Sequence, residues 1–235
     1  MTADRNNHTF PTGMIIAIDG PAGSGKSTTA LLVARRLGYR YLDTGAMYRA
    51  LTYYALSNGI DPTDERRLAA AVSELKLDFD NRQGNNHVLI DGVDISRQIR
   101  TPEVTAHVSE VSAHRLVRRA MVARQQQLGK DGSLVTEGRD TTTVVFPGAQ
   151  VKIFLQASIS ERARRRLSDL TELGIESTLE QQVAEIRRRD GFDSNRAHSP
   201  LTRAEDAHLL DTTDLTIEQQ VDKIVSLAQA AAGDR

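Results

Sequence analysis

The apolar positions of this chain switch between two spacings. Met14-Ile15-Ile16-Ala17-Ile18 is a continuous apolar run ending in Asp19-Gly20, which predicts a strand covered on both faces, as in a parallel sheet. From Ser27 to Leu37, residues Ala30, Leu31, Val33, Ala34 and Leu37 fall at helical spacing, and Gly38 is a natural stop. Tyr39 to Leu42 predicts a second strand. Asp43-Thr44 can cap a helix from about Gly45 to Ser57, which Asn58-Gly59 ends. Asp61-Pro62 opens another helix, to about Leu75. Alternation at Leu75, Leu77 and Phe79, a turn at Asn85-Asn86, the run His87 to Ile90 and a turn at Asp91-Gly92 before Val93 and Ile95 predict an antiparallel meander. It interrupts the strand–helix alternation, so residues 76–100 read as an insertion.

A helix from Pro102 to about Leu128 follows, with a break point near His114. Ser133 to Glu137 and Val151 to Leu155 predict further core strands. Capping boxes at Ser158 to Glu161, Ser177 to Glu180 and Thr216 to Gln219 each predict a helix start, and His208 to Leu210 a last short strand. The tail from Ala230 to Arg235 is expected to fray. The pattern predicts an α/β fold: a parallel sheet with helices on both faces, a small antiparallel β insertion and a helical segment late in the chain.

Composition narrows the chemistry. With 235 residues, 39% of them hydrophobic, the chain can fill the core of one α/β domain. It has no cysteine, which excludes disulfides, thiolate metal sites and cysteine nucleophiles. No apolar run approaches the roughly 20 residues that span a bilayer. Met1 to Gly13 is polar and reads as a disordered lead-in without a signal peptide, with His8 idle, so the expected compartment is the cytoplasm. A net charge of −1 argues against nucleic-acid or membrane-surface partners. The charge is uneven, however: Arg162, Arg164, Arg165, Arg166, Arg187, Arg188 and Arg189 share one stretch, which suggests a local anionic ligand.

Gly20-Pro21-Ala22-Gly23-Ser24-Gly25-Lys26-Ser27 matches the phosphate-loop pattern G-x-x-x-x-G-K-[ST] in full, between the strand and the helix that such a loop requires. Glycines let backbone N–H groups wrap a phosphate, and the helix that follows, opening at Ser27-Thr28, aims its positive end at the same group. Lys26 reaches the β/γ oxygens of a nucleoside triphosphate, and the Ser27 hydroxyl can ligate Mg²⁺. Gly20 to Thr28 is therefore the candidate ATP site. Asp19 and Asp43 are candidate acids for the water around the metal. The loop alone does not name a reaction, since kinases, ATPases and GTPases share it. No N-K-x-D motif of a G-protein is present, and no acid-terminated strand is identified as carrying a Walker B aspartate.

Three further segments narrow the choice: Tyr41 to Arg49 (YLDTGAMYR), Glu137 to Pro147 (EGRDTTTVVFP) and Arg187 to Ala197 (RRRDGFDSNRA). Together with the phosphate loop, their order and spacing resemble the bacterial cytidylate kinases, from about Ile15 to the last helix. The resemblance implies a nucleoside-monophosphate-kinase fold that uses ATP and Mg²⁺ to phosphorylate CMP and dCMP; a monomer is expected. It implies a core of residues 14–60, 129–160 and 197–235, an acceptor-binding region of 61–128 and a mobile lid of 161–196. It places Thr44, Tyr48 and Arg49 around the monophosphate and its sugar or base, and Ser109, Arg118 and Asp140 on the cytosine. Arg139, Arg189 and Arg196 fall on phosphate contacts, and Asp193 on the acceptor ribose. Lys26, Arg139 and Arg189 are the expected catalytic cations. An acceptor carboxylate beside donors matches the N4 amino group next to N3 and O2 of cytosine, and uracil reverses two of these positions.

The chain departs from the family at Thr141-Thr142, where the family usually has a large apolar residue and then glycine. A side chain there restricts the backbone, with a possible shift of Arg139 or Asp140. Two other readings stay open at this point: a phosphate-loop kinase of UMP or a non-nucleotide alcohol, and a regulatory protein that hydrolyses ATP without an acceptor. Nucleic-acid binding by the arginine-rich segment is weaker, because stacking aromatics are not interleaved with it.

Overall fold

A computed structural model describes residues 13–80, 86–172 and 174–233. Its main sheet has five parallel strands: β1 (Ile15–Asp19), β2 (Arg40–Asp43), β6 (Leu134–Gly138), β7 (Val151–Gln156) and β8 (His208–Asp211), in the order β2-β6-β1-β7-β8. Strand β1 sits centrally, and its alternation decides which core each side chain joins. Ile16 and Ile18 face α1 (Lys26–Leu37) and α8 (Ile217–Gly233), packing with Ala30, Val33, Val221 and Ile224. Ala17 faces the other layer, with Ala46, Met47 and Leu51 of α2 (Thr44–Ser57) and Val117 and Met121 of α5 (Arg115–Gly129). The parallel sheet with helices on both faces is as expected.

The insertion is also present. β3 (Leu77–Asp80), β4 (His87–Ile90) and β5 (Val93–Asp94) form an antiparallel sheet. The expected lead-in at residues 1–12 lies outside the described residues, as do Asn85 of the predicted turn and the last two residues of the tail. The rest of that tail does not fray, because α8 runs to Gly233 with Ala228 buried against the sheet.

Helix starts differ in detail. The side chain of Asp61 turns back onto the Thr63 amide at 2.8 Å, so α3 (Glu65–Glu74) begins three residues later, capped by Asp64. The long helix is two, α4 (Pro102–Val111) and α5. Leu116 N donates to Glu65 Oε1 at 2.7 Å and the His114 ring meets Pro62 O at 2.8 Å, so α3 and the turn before it fix the break. The box predicted at Ser177 lies one residue on, with Thr178 and Gln181 exchanging bonds at the start of α7 (Leu179–Asn195). At α6 (Ile159–Glu172) only half of a box forms: Ser158 accepts from the Glu161 amide, while the Glu161 carboxylate turns to Arg164 and Arg165. The Thr216–Gln219 box is complete. Between β6 and β7 lies a π-helical turn, Thr141–Val145, that periodicity gave no sign of.

Candidate functional site

The phosphate loop runs from the end of β1 into α1. Gly20 cannot be replaced without disruption, since a Cβ there would stand 2.0 Å from Leu155 O of β7. Gly23 and Gly25 have φ of +75° and +91°, the left-handed region that glycine occupies freely. Lys26 is buried, and its ammonium donates to Pro21 O at 2.7 Å, folding over the loop's own interior. Ser24 is buried, Ser27 and Thr28 are exposed, and Pro21 and Ala22 are half-buried.

Two members of the arginine stretch hold this loop from outside. Arg162 donates to Ala22 O at 3.0 Å and pairs with Asp190 at 2.7 Å. Arg165 reaches Ser24 O at 3.4 Å and Thr212 O at 2.6 Å. Arg164 and Arg188 instead form exposed pairs with Glu161 and Glu185 on their own helices. The stretch therefore does not act as one unit: Arg162, Arg164, Arg165 and Arg188 are spent on carboxylates and carbonyls of the protein itself. Arg189 belongs to neither group. Among the described residues it has no carboxylate within ion-pair distance, and burial followed by repulsion from Arg139 pulls it down to about 10.

Burial, then Arg139, lowers Lys26 to about 7, with Arg189 adding to the effect. Three cations thus crowd one place, which suits a ligand carrying several negative charges.

Glu137, near the end of β6, was overlooked as a site residue. Its Oε1 accepts from the Ser27 hydroxyl at 2.7 Å. Burial, then the neighbouring Asp43 charge, pushes its carboxyl up to about 7. The available signal was the acid closing the run Ser133 to Glu137, on the strand that pairs directly with β1 and so ends beside the phosphate loop. Asp43 accepts from Ala46 N at 2.7 Å, capping α2, and pairs with Arg49 at 2.8 Å. Burial opposes its ionisation, but Arg49 and the Ala46 amide outweigh this and hold it below the usual carboxylate range. Asp19 has no free oxygen for a metal's water, because both of its oxygens are taken by Thr141 and Thr142.

The acceptor candidates assemble from four distant segments. Arg118 of α5 and Asp140 form an ion pair in which both side chains are buried. The Arg118 guanidinium lies 5.3 Å from the centre of the Tyr48 ring and donates to Ser112 O at 3.0 Å. Arg196 stands 3.7 Å from Asp140, and its Nε donates to Ser199 O at 2.5 Å. Arg139 pairs with Asp193 at 2.8 Å. Burial opposes ionisation of Asp193, but Arg139 and Arg189 outweigh it and hold the carboxyl low.

Several polar atoms here are buried with no hydrogen-bond partner: Tyr48 Oη, Arg49 Nε, Arg118 Nε and Arg196 Nη2. Such atoms are costly unless a ligand meets them. Two candidates sit differently from the rest. The Thr44 hydroxyl is spent on Glu137 O at 2.8 Å, tying α2 to β6. Ser109 of α4 is half-buried, and no hydrogen bond joins it to Arg118 or Asp140.

The Thr141-Thr142 departure leaves the backbone unstrained. Neither residue has a positive φ, and Arg139 and Asp140 are each ion-paired, with Asp193 and Arg118.

Residues 16–230 match the family model described as cytidylate kinase. The chain belongs to the cytidylate kinase family. It is 51% identical over 212 residues to a curated protein of Bacillus cereus named cytidylate kinase, covering 90% of this chain and 94% of the relative. It is 50% identical over the same length and shares to one of Bacillus thuringiensis with that name. Among solved structures, an uncharacterised protein from Eubacterium ventriosum aligns with a TM-score of 0.50 at 10% identity, covering 92% of this chain and 98% of that one, a likeness of fold alone. No helix among the described residues is long and apolar enough to cross a membrane.

Proposed function

We propose that this protein, a nucleoside monophosphate kinase by family, transfers the terminal phosphoryl group of ATP directly to CMP or dCMP, giving CDP or dCDP. The observation that carries the choice of base is the buried Arg118–Asp140 pair beside Tyr48 and Arg196. Asp140 accepts from the cytosine N4 amino group while Arg118 donates to N3 and O2. Uracil would set its own N3 hydrogen and O4 against these groups. Ser109 reaches the base only if α4 shifts on binding.

ATP lies along Gly20 to Thr28 with its β-phosphate in the loop. Lys26, Arg139 and Arg189 meet the transferred group, whose charge spreads over its equatorial oxygens during transfer. Arg49 and Arg196 hold the acceptor phosphate with Thr44 and Tyr48 beside it, and Asp193 turns from Arg139 toward the ribose. No protein base is required, because the acceptor phosphate is already an anion. Positioning and charge neutralisation supply the rate.

The residues fit a Mg²⁺ ion accompanying ATP. The Ser27 hydroxyl lies against Glu137, whose carboxyl is pushed up by burial and then by the Asp43 charge, so a cation beside Ser27 would favour its ionised form. When bound, the ion neutralises charge on the triphosphate. Residues 161–196 act as the lid, residues 61–128 as the acceptor-binding region, and closure keeps water from the γ-phosphate. In this reading the protein acts as a monomer, and a cytoplasmic location suits the substrates.

A coupled assay across CMP, dCMP, UMP, AMP and shikimate tests the reading. CMP and dCMP should be preferred. Transfer to UMP, AMP or shikimate as fast as to CMP would refute it, and ATPase turnover indifferent to all five would favour a regulatory ATP hydrolase.

A further inference from the structure

The carboxylate of Asp19 takes no part in the reaction above, yet it is fully buried and accepts four hydrogen bonds. Thr141 gives its amide at 2.9 Å and its hydroxyl at 2.7 Å to one oxygen. Thr142 gives its amide at 2.7 Å and its hydroxyl at 2.6 Å to the other. Both threonines are buried as well.

The places of these residues in the chain make the cluster informative. Asp19 ends β1 and directly precedes Gly20, the first residue of the phosphate loop. Thr141 and Thr142 directly follow Arg139-Asp140. They open the π-helical turn, whose later amides, Val144 and Val145, return to Asp140 O at 2.9 and 3.1 Å. The first amides of such a turn have no partner inside it. Asp19 takes both of them from the neighbouring strand, where the parallel register sets it opposite Gly138.

The junction is tight: a Cβ on Gly138 would stand 2.4 Å from Thr44 Oγ1 and 2.8 Å from Thr141 Cγ2. The amides alone leave lone pairs on a carboxylate cut off from water, and the hydroxyls fill them.

We infer that Asp19, Thr141 and Thr142 form a clamp that sets the phosphate loop in register with Arg139-Asp140, and that the two threonine hydroxyls are needed for it. The three are positioning residues that act through their neighbours. The inference rests on the two-nucleotide reading above, and it gives the departure at Thr141-Thr142 a purpose. The hydroxyls supply rigidity across the seam between donor and acceptor halves.

The test compares T141V/T142V, which keeps shape and both amides, with T141S/T142S, which keeps the hydroxyls. Steady-state rates are measured with ATP against CMP and UMP. In the valine variant kcat/KM for CMP should fall about tenfold or more and the CMP-over-UMP ratio should shrink, while KM for ATP stays within about twofold. The serine variant should recover rate and ratio.

A valine variant with wild-type rate and ratio overturns the clamp. So does a loss that serine does not recover, which would make the methyl groups the cause. Should the double valine variant not fold, T142V read against T142S decides by the same criteria. A wild-type protein without CMP preference refutes the base reading instead. The clamp is then judged on the transfer rate to the best wild-type acceptor, with the same serine recovery.

Discussion

The donor and acceptor halves of this site are built by different means. The donor half is one contiguous loop whose shape comes from backbone: Gly20 lies against β7, Gly23 and Gly25 are left-handed, and Arg162 and Arg165 brace its carbonyls from outside. The acceptor half has no continuous frame. It is a set of ion pairs, the buried Arg118–Asp140 and the part-buried Asp43–Arg49 and Arg139–Asp193, each joining residues that only the fold brings together or that span a helix start. Backbone geometry tolerates almost no change and serves any triphosphate. Side-chain pairs can be exchanged one at a time, so that half carries the choice of substrate.

Substitutions on either side can break that contrast. The largest effect is expected for Lys26→Ala, which removes the cation inside the loop. Turnover should drop by about 10²- to 10³-fold or more with the fold intact by circular dichroism and CMP binding retained by calorimetry. Retained turnover would refute its role. Next is Asp140→Ala, expected to lower kcat/KM for CMP by about 10²-fold and for UMP distinctly less, as read by competing acceptors. An equal loss for both would remove the base-reading assignment.

A smaller effect concerns Glu137. Its carboxyl is raised to about 7, so it is protonated below that pH and attracts Mg²⁺ less. The Mg²⁺ concentration for half-maximal rate should rise about three- to tenfold as pH falls from 8 to 6. In Glu137→Gln it should be high and lack that rise, and a variant keeping the wild-type pH dependence would count against the metal assignment. The smallest effect is expected for Arg188→Ala, whose exposed pair with Glu185 stays on its own helix. Its kcat should stay within about twofold of wild type, and a larger fall would show that this arginine meets phosphate after lid closure.

Legibility followed the same division. The phosphate loop was readable because its function resides in eight consecutive residues, and the core strands because burial on both faces leaves continuous apolar runs. The break between α4 and α5 was only half readable, since Glu65, far away in sequence, caps the second helix. The role of Glu137 was missed because the signal is spatial. A lone glutamate ending a strand means little until Ser27 is seen across from it. The arginine stretch misled as a unit, because sequence proximity does not tell an arginine bracing a carbonyl from one paired on its own helix.

By itself the sequence determined the α/β class, the triphosphate loop, the antiparallel insertion and, through four short segments together, the family. These rest on local chemistry: periodicity, glycine conformation and contiguous donors. Only the tertiary structure decided which cations lack a carboxylate, which acid stands beside Ser27, and that Asp19 belongs to Thr141 and Thr142 rather than to a metal. The physical reason is that burial and charge neighbourhood are properties of packed segments. A carboxylate's partners are chosen by the strand order β2-β6-β1-β7-β8, which sets residues 122 and 123 positions apart within hydrogen-bonding distance of one another.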